Sequence, residues 1–254
     1  MSAKNDKAAK ARAEAKAKAQ AELRAKERRT TIIIVAVSLV VIAALAGIIY
    51  FIVDASKTPS IGDVATPAGA DKTGGILVGS ADGAHRADVY LDFMCPYCGH
   101  FEEINGSVLA SSSAAGDLSV YYHPLAFLDH YSAGTKYSTR AANAAAVVAD
   151  QSPEHFGAFF EAMFAQQPEE NTPGLTDKQI ADIAVSVGVP QEVADTFTDG
   201  KFNDWVAAAS QQASIDGVSV TPTFMIDRTI VEQTEVPYMQ EGVLEQYLNQ
   251  LAAS

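Results

Sequence analysis

Asp88-Val89-Tyr90-Leu91-Asp92-Phe93, then Met94-Cys95-Pro96-Tyr97-Cys98, then Gly99-His100-Phe101-Glu102-Glu103-Ile104: this run decides the fold. Its first part is apolar and rich in aromatic residues, as in a strand, and its last part starts a helical pattern. The chain's only two cysteines stand at the junction. Free backbone N–H groups and the positive end of the helix dipole stabilise an anion there, so Cys95 is expected to be rich in thiolate at neutral pH. Pro96 suits the first helical turn, where a missing N–H is no loss. Cys98, three residues on, lies on the same helix face and can bond Cys95 with little backbone movement. Cys95 is therefore expected to attack and Cys98 to resolve, with Pro96 and Tyr97 tuning the pair.

Other uses of two cysteines are open at this point. A permanent bridge over so short a loop is a poor staple, because cross-link stabilisation grows with the length of chain closed. Cys-x-x-Cys is also half of a tetrahedral zinc set. The other half would have to come from His85, His100, His123, His130 or His155, and these form no second close pair. A cysteine hydrolase using His123 or His130 as base would leave Cys98 without a task. Redox exchange accounts for both sulfurs, and no metal is expected.

Charge divides the chain. Residues 1–30 carry ten Lys or Arg against four acidic residues, and the whole chain is −13, so the remainder sums to −19. An acidic body argues against nucleic-acid binding, which depends on neutralising phosphates. The arm, residues 1–29, is made of strong helix formers without an apolar stripe. It is expected to lie in the cytoplasm, either simply solvated or drawn to anionic membrane lipid. Residues 30–53 contain no charge and are almost continuously apolar. At about 1.5 Å per residue such a helix matches a hydrocarbon core of roughly 30 Å, which predicts one transmembrane helix, a signal anchor. Arg24, Lys26, Arg28 and Arg29 precede it and Asp54 follows. That asymmetry predicts a cytoplasmic N-terminus and an extracytoplasmic remainder in a single-pass cell-membrane protein. Residues 54–74, rich in Ala, Gly, Pro and Thr, read as a flexible linker.

Residues 75–254 read as one mixed α/β domain. Strands are expected at Ile76-Leu77-Val78, Asp88–Phe93, Leu118–Tyr122, within Ser219–Asp227 and at Thr229–Val231. Helices are expected from Pro96 onward, then over Thr139–Val148, His155–Phe164, Asp177–Val187, Asn203–Ile215 and Val243–Leu251. Phe156, Phe159, Phe160 and Phe164 stack at helical spacing and belong to a core. Strands at both ends with helices between imply a helical region inserted into, or packed beside, one sheet.

Phe93-Met94-Cys95-Pro96-Tyr97-Cys98-Gly99-His100-Phe101-Glu102-Glu103 and, far downstream, Gly217-Val218-Ser219-Val220-Thr221-Pro222-Thr223-Phe224 resemble the DsbA-like branch of the thioredoxin superfamily. The resemblance covers residues 75–254 and none of the arm, span or linker. It implies an α/β thioredoxin-like fold with a helical insertion, and a cis Pro222 facing the cysteines, with Thr221 presenting backbone to an extended substrate segment. Implied too is a thiol:disulfide oxidoreductase whose only prosthetic element is its redox-active Cys95–Cys98 disulfide. Oxidation of exported cysteine-containing proteins is the favoured duty, with a membrane reoxidising partner of the DsbB or VKOR type. A reductase, an isomerase or a thiol-based metal-binding chaperone are the alternatives. Many relatives carry an acid six residues before the first cysteine, where this chain has Val89; Asp92 is nearer and is a possible proton relay. Tyr97 stands where strong oxidants of the family have His, so Cys95 is expected to be acidified less than theirs.

Overall fold

The computed structural model describes residues 59–253. The basic arm, the apolar stretch 30–53 and the first residues of the expected linker lie outside the described residues. Among the described residues no helix is long and apolar enough to cross a membrane.

Five strands form one sheet: β1 (Ile76–Val78), β2 (His85–Leu91), β3 (Leu118–Pro124), β4 (Thr223–Ile226) and β5 (Thr229–Ile230), in spatial order β1-β3-β2-β4-β5. β2 runs parallel to β3, and the other pairings are antiparallel. Helix α1 (Pro96–Ala115) makes the crossover from β2 to β3. Between β3 and β4 lies the helical insertion: α2 (Tyr137–Gln151), α3 (Phe156–Ala165), α4 (Asp177–Ser186), the short α5 (Gln191–Ala194) and α6 (Asn203–Ile215). Helix α7 (Val243–Ala252) closes the chain and packs on α1.

The period-two pattern of β2 divides its side chains between two cores. Val89 and Leu91 join Phe224 and the phenylalanine stripe of α3 in the main core, whereas Tyr90 and Met225 pack with Ala213 of α6 and Val218. Phe156, Phe159, Phe160 and Phe164 are all buried, as their spacing predicts. Helix α1 buries Cys98, Phe101, Asn105, Leu109 and Ser113 along one stripe and ends at Gly116, whose φ of 85° is the left-handed conformation glycine adopts without strain.

Beyond small shifts at the ends of other elements, two differences from the sequence reading bear on the site and on the edge of the domain. β2 starts at His85 and stops at Leu91 rather than running to Phe93, because the Asp92 carboxylate accepts the Met94 N–H at 2.9 Å and turns the chain out of the sheet. Residues 59–74, assigned by composition to a linker, lie against the domain. Ile61–Asp63 form a 3-10 turn beside α6, the Ala68 N–H donates to Asp150 Oδ1 at 3.1 Å, and Ala70 bridges to Ile76. A Cβ on Gly74 would lie 2.7 Å from the Cβ of Ala209, so a small residue there is a packing requirement and not a sign of slack chain.

Candidate active site at the Cys95 turn

Register assembles the site. Tyr90 of β2 pairs with Thr223 of β4, so the chain leaving β2 toward Cys95 passes the chain entering β4 from Thr221 and Pro222. The Thr221–Pro222 peptide bond is cis. Cys95 is the N-cap of α1, in extended conformation with φ −81° and ψ 114°, and Pro96 occupies the first turn. The Cys95 carbonyl accepts the N–H groups of Cys98 at 2.9 Å and Gly99 at 3.3 Å. Both cysteines are free thiols. Pro96 and Tyr97 are exposed, Cys95 is 5% exposed and Cys98 is fully buried.

The Cys95 thiol donates to the Thr221 carbonyl at 3.3 Å. Cys95 is acidified to about 6, first by its hydrogen bond with Cys98, against the opposing effect of burial, then by the Thr221 side chain and the N–H groups of Cys98 and Tyr97. The neighbouring sulfur thus contributes more than the helix terminus on which the sequence reading relied. Burial, followed by the hydrogen bond to Cys95 and that residue's charge, pushes the Cys98 thiol well up. One acidic sulfur lining a groove and one protonated sulfur wholly buried behind it is the division of labour that attack and resolution need.

Asp92 lies beneath this turn and is fully buried. Its Oδ1 accepts the Ser138 hydroxyl at 2.7 Å as well as the Met94 N–H, and its Oδ2 accepts the Leu128 N–H at 2.9 Å. Burial outweighs these donors and raises the carboxyl to about 7. The Asp92 backbone N–H, at 3.5 Å, is the group of this residue that meets the Cys98 sulfur. Val89, at the position where many relatives carry an acid, is buried among apolar side chains.

Sequence reasoning passed over two polar residues, of which Gln167 touches the catalytic turn. Glu102, one helical turn beyond Cys98, accepts the Tyr122 hydroxyl at 3.4 Å, and burial raises its carboxyl to about 7. Its i+4 spacing from Cys98 was the available signal. Gln167 reaches the turn from the far end of α3 and donates to the Phe93 and Cys95 carbonyls; no local pattern marks it.

A groove of about 550 Å3 opens beside the nucleophile, lined by Cys95, Phe127, Tyr131, Val218, Val220 and Thr221 among others. Val220 of this groove and Tyr97 between the two cysteines stand 64% and 69% exposed. His123 is fixed elsewhere, buried with Nε2 2.8 Å from Asp88 Oδ1 and its ring stacked on Tyr90. It does not serve Cys95 as a base. Among the described residues no group of three or more His, Cys, Asp or Glu side chains is placed to hold a metal ion.

Residues 71–244 match the family Thioredoxin_4, described as thioredoxin. The chain is 27% identical to the reduced DsbA of Mycobacterium tuberculosis, with a TM-score of 0.56 over 70% of this chain and 99% of that one. It is also 27% identical to the reduced disulfide bond oxidoreductase DsbG of the same organism, with a TM-score of 0.57 over 71% and 94% of the two chains. A curated relative, the serine/threonine-protein kinase PknE of M. tuberculosis, is 37% identical over 118 residues, which are 45% of this chain and 21% of the kinase. The chain thus spans about a fifth of that relative.

Proposed function

The chain belongs to the thioredoxin family, and from that premise we propose that it is an extracytoplasmic protein disulfide oxidase, donating a Cys95–Cys98 disulfide to exported cysteine-containing proteins. One juxtaposition carries this reading: an acidified sulfur at the start of α1 opens onto a groove whose other wall is Thr221, beside the cis Pro222.

In the oxidised enzyme a client thiolate attacks the Cys95 sulfur. The Cys95–Cys98 bond breaks and Cys98 takes up a proton. A second client thiolate then attacks the client's own sulfur in the mixed disulfide, and Cys95 departs as thiolate. The client has lost two electrons and gained a disulfide, and the enzyme has gained those electrons. Because the departing Cys95 is stabilised at about 6, reduction of the enzyme is favoured, which makes its disulfide an oxidant. Without a thiol hydrogen on Cys95, in the thiolate as in the disulfide, the Thr221 carbonyl is free to accept from a client backbone laid alongside as an added strand. Asp92, with a carboxyl near 7, is the candidate relay for the Cys98 proton.

The remaining parts of the reading come from the sequence. Residues 30–53 would anchor the enzyme in the cell membrane, and a quinone-linked membrane partner of the DsbB or VKOR type would reoxidise it. Disulfides persist in the compartment this topology implies.

The deciding experiment equilibrates the full chain in glutathione buffers and counts trapped thiols by mass. A potential near the oxidising end, about −120 mV, is expected of a disulfide donor, and a value near −270 mV would reverse the direction to reduction. Absence of any reversible transition would refute redox function altogether.

A further inference from the structure

Besides Ser138, which donates to Asp92, the helical insertion reaches the catalytic turn with a second polar side chain, Gln167. Gln167 lies just past the end of α3, where its backbone N–H donates to the Phe164 carbonyl at 3.1 Å. Its side-chain Nε2 donates to the Phe93 carbonyl at 3.0 Å and to the Cys95 carbonyl at 2.8 Å, so both amide hydrogens are spent on the turn. The same helix holds Phe93 by its ring, with centroids 5.0 Å from Phe160 and 4.9 Å from Phe164.

Gly99 makes room for this clamp. A Cβ there would lie 2.3 Å from Gln167 Oε1, closer than any packed pair allows. A glycine in the first turn of a helix sacrifices propensity, and here the vacated space is filled by the amide.

The Cys95 carbonyl is consequently held from two directions, by the N–H groups of its own helix and by the insertion. Without Gln167 the Phe93 carbonyl would lose a donor beside the reacting sulfur, and the turn would be free to rotate. Either change turns the helix N–H groups away from the sulfur or leaves negative charge uncompensated next to it. We propose that Gln167 is a positioning residue for thiol–disulfide exchange, fixing the turn that aims the start of α1 at the Cys95 sulfur. The proposal rests on Cys95 being the nucleophile.

The test compares the wild-type full chain with Gln167→Met, Gly99→Ala and the double variant. Methionine keeps the length of the side chain and removes both donors. Cys95 ionisation is followed by thiolate absorbance against pH, the rate of client oxidation is measured at neutral pH, and circular dichroism checks the fold. Each single variant is expected to reduce the Cys95 ionisation constant about threefold or more, a pKa rise of about 0.5. Client oxidation should change with it. The double variant should match Gln167→Met alone, because Gly99→Ala acts by displacing the same amide.

A Gln167→Met protein that melts lower yet ionises and reacts as wild type would show a merely structural role and overturn the proposal. Fully additive effects of the two substitutions would overturn the link to Gly99 and with it the clamp. If wild-type Cys95 itself titrates in the ordinary thiol range, the nucleophile assignment fails and takes this inference with it. Normal low titration of the wild type alongside an unchanged variant refutes Gln167 alone.

Discussion

The Cys95 thiol donates to the carbonyl of Thr221 at 3.3 Å, and the Thr221 side chain also favours the Cys95 thiolate. Backbone and side chain of one residue therefore act on the same sulfur. Thr221→Val keeps shape, carbonyl and the preceding chain while removing the hydroxyl. Its Cys95 pKa is expected to rise by about 0.5 to 1, the size of one modest hydrogen bond. Alkylation rate against pH measures it; profiles that superimpose on wild type would show that the hydroxyl contributes nothing.

Burial distinguishes the two cysteines, since Cys95 meets the groove and Cys98 does not. Cys98→Ser is therefore expected to accumulate mixed disulfides between Cys95 and clients, visible as higher bands on non-reducing gels. Cys95→Ser should form none. Equal trapping by both variants would contradict the assigned roles.

Protonation gives the reduced enzyme a pH signature. Cys95 ionises near 6 in the fold against an ordinary 9.0, so between these values the unfolded chain binds more protons and stability rises with pH. That contribution is lost as pH falls through 6, and it is on the order of a few kcal/mol at most. Asp92 and Glu102, raised to about 7, act oppositely: between about 4 and 7 the folded state holds the extra protons, so stability falls as pH rises. Those carboxyls are present in both redox forms and largely cancel in a comparison of the two. The melting temperature of the reduced form minus that of the oxidised form should therefore increase from pH 5 to pH 8. A constant difference would refute the acidified Cys95.

What the sequence disclosed and what it hid follow from how far each interaction reaches along the chain. The strand, the Cys-Pro-Tyr-Cys junction and the helix are local, and their reading agrees with the structure apart from the two ends of β2, which starts at His85 rather than Asp88 and stops at Leu91 rather than Phe93. The phenylalanine stripe was legible because helical spacing repeats within a few residues. The cis bond before Pro222 is a different case, since it was implied by resemblance and by nothing in the local residues. Asp92 could not be assigned a face by alternation because it lies beyond the strand, in the turn its own carboxylate makes with Met94. Gln167 was invisible for a simpler reason: its partner Cys95 stands 72 residues away. Residues 59–74 misled because glycine and proline were read as slack, whereas Gly74 is small so that Ala209 can approach.

Asp88 separates stability from reactivity. It is fully buried on β2, accepting from Arg86 Nε at 2.8 Å and standing 2.8 Å from His123 Nε2. Burial alone would raise its carboxyl, but hydrogen bonds and charge from His123 and Arg86 outweigh it and hold the group near 2. Its contribution is therefore present above the ordinary 3.8 and is lost as pH falls toward 2. Asp88→Asn leaves the buried His123 facing a neutral amide, while the partly exposed Arg86 keeps Asp71 as a partner at 2.6 Å, so the cost falls below the about 3–5 kcal/mol of a fully buried broken pair. Urea unfolding at neutral pH should show that loss, with a flatter acid limb between about pH 4 and pH 2. None of Arg86, Asp88 or His123 is among the groups that acidify Cys95, so its titration should stay near 6. A shift in Cys95 that accompanies the stability loss would mean that β2 transmits strain from this network to the catalytic turn.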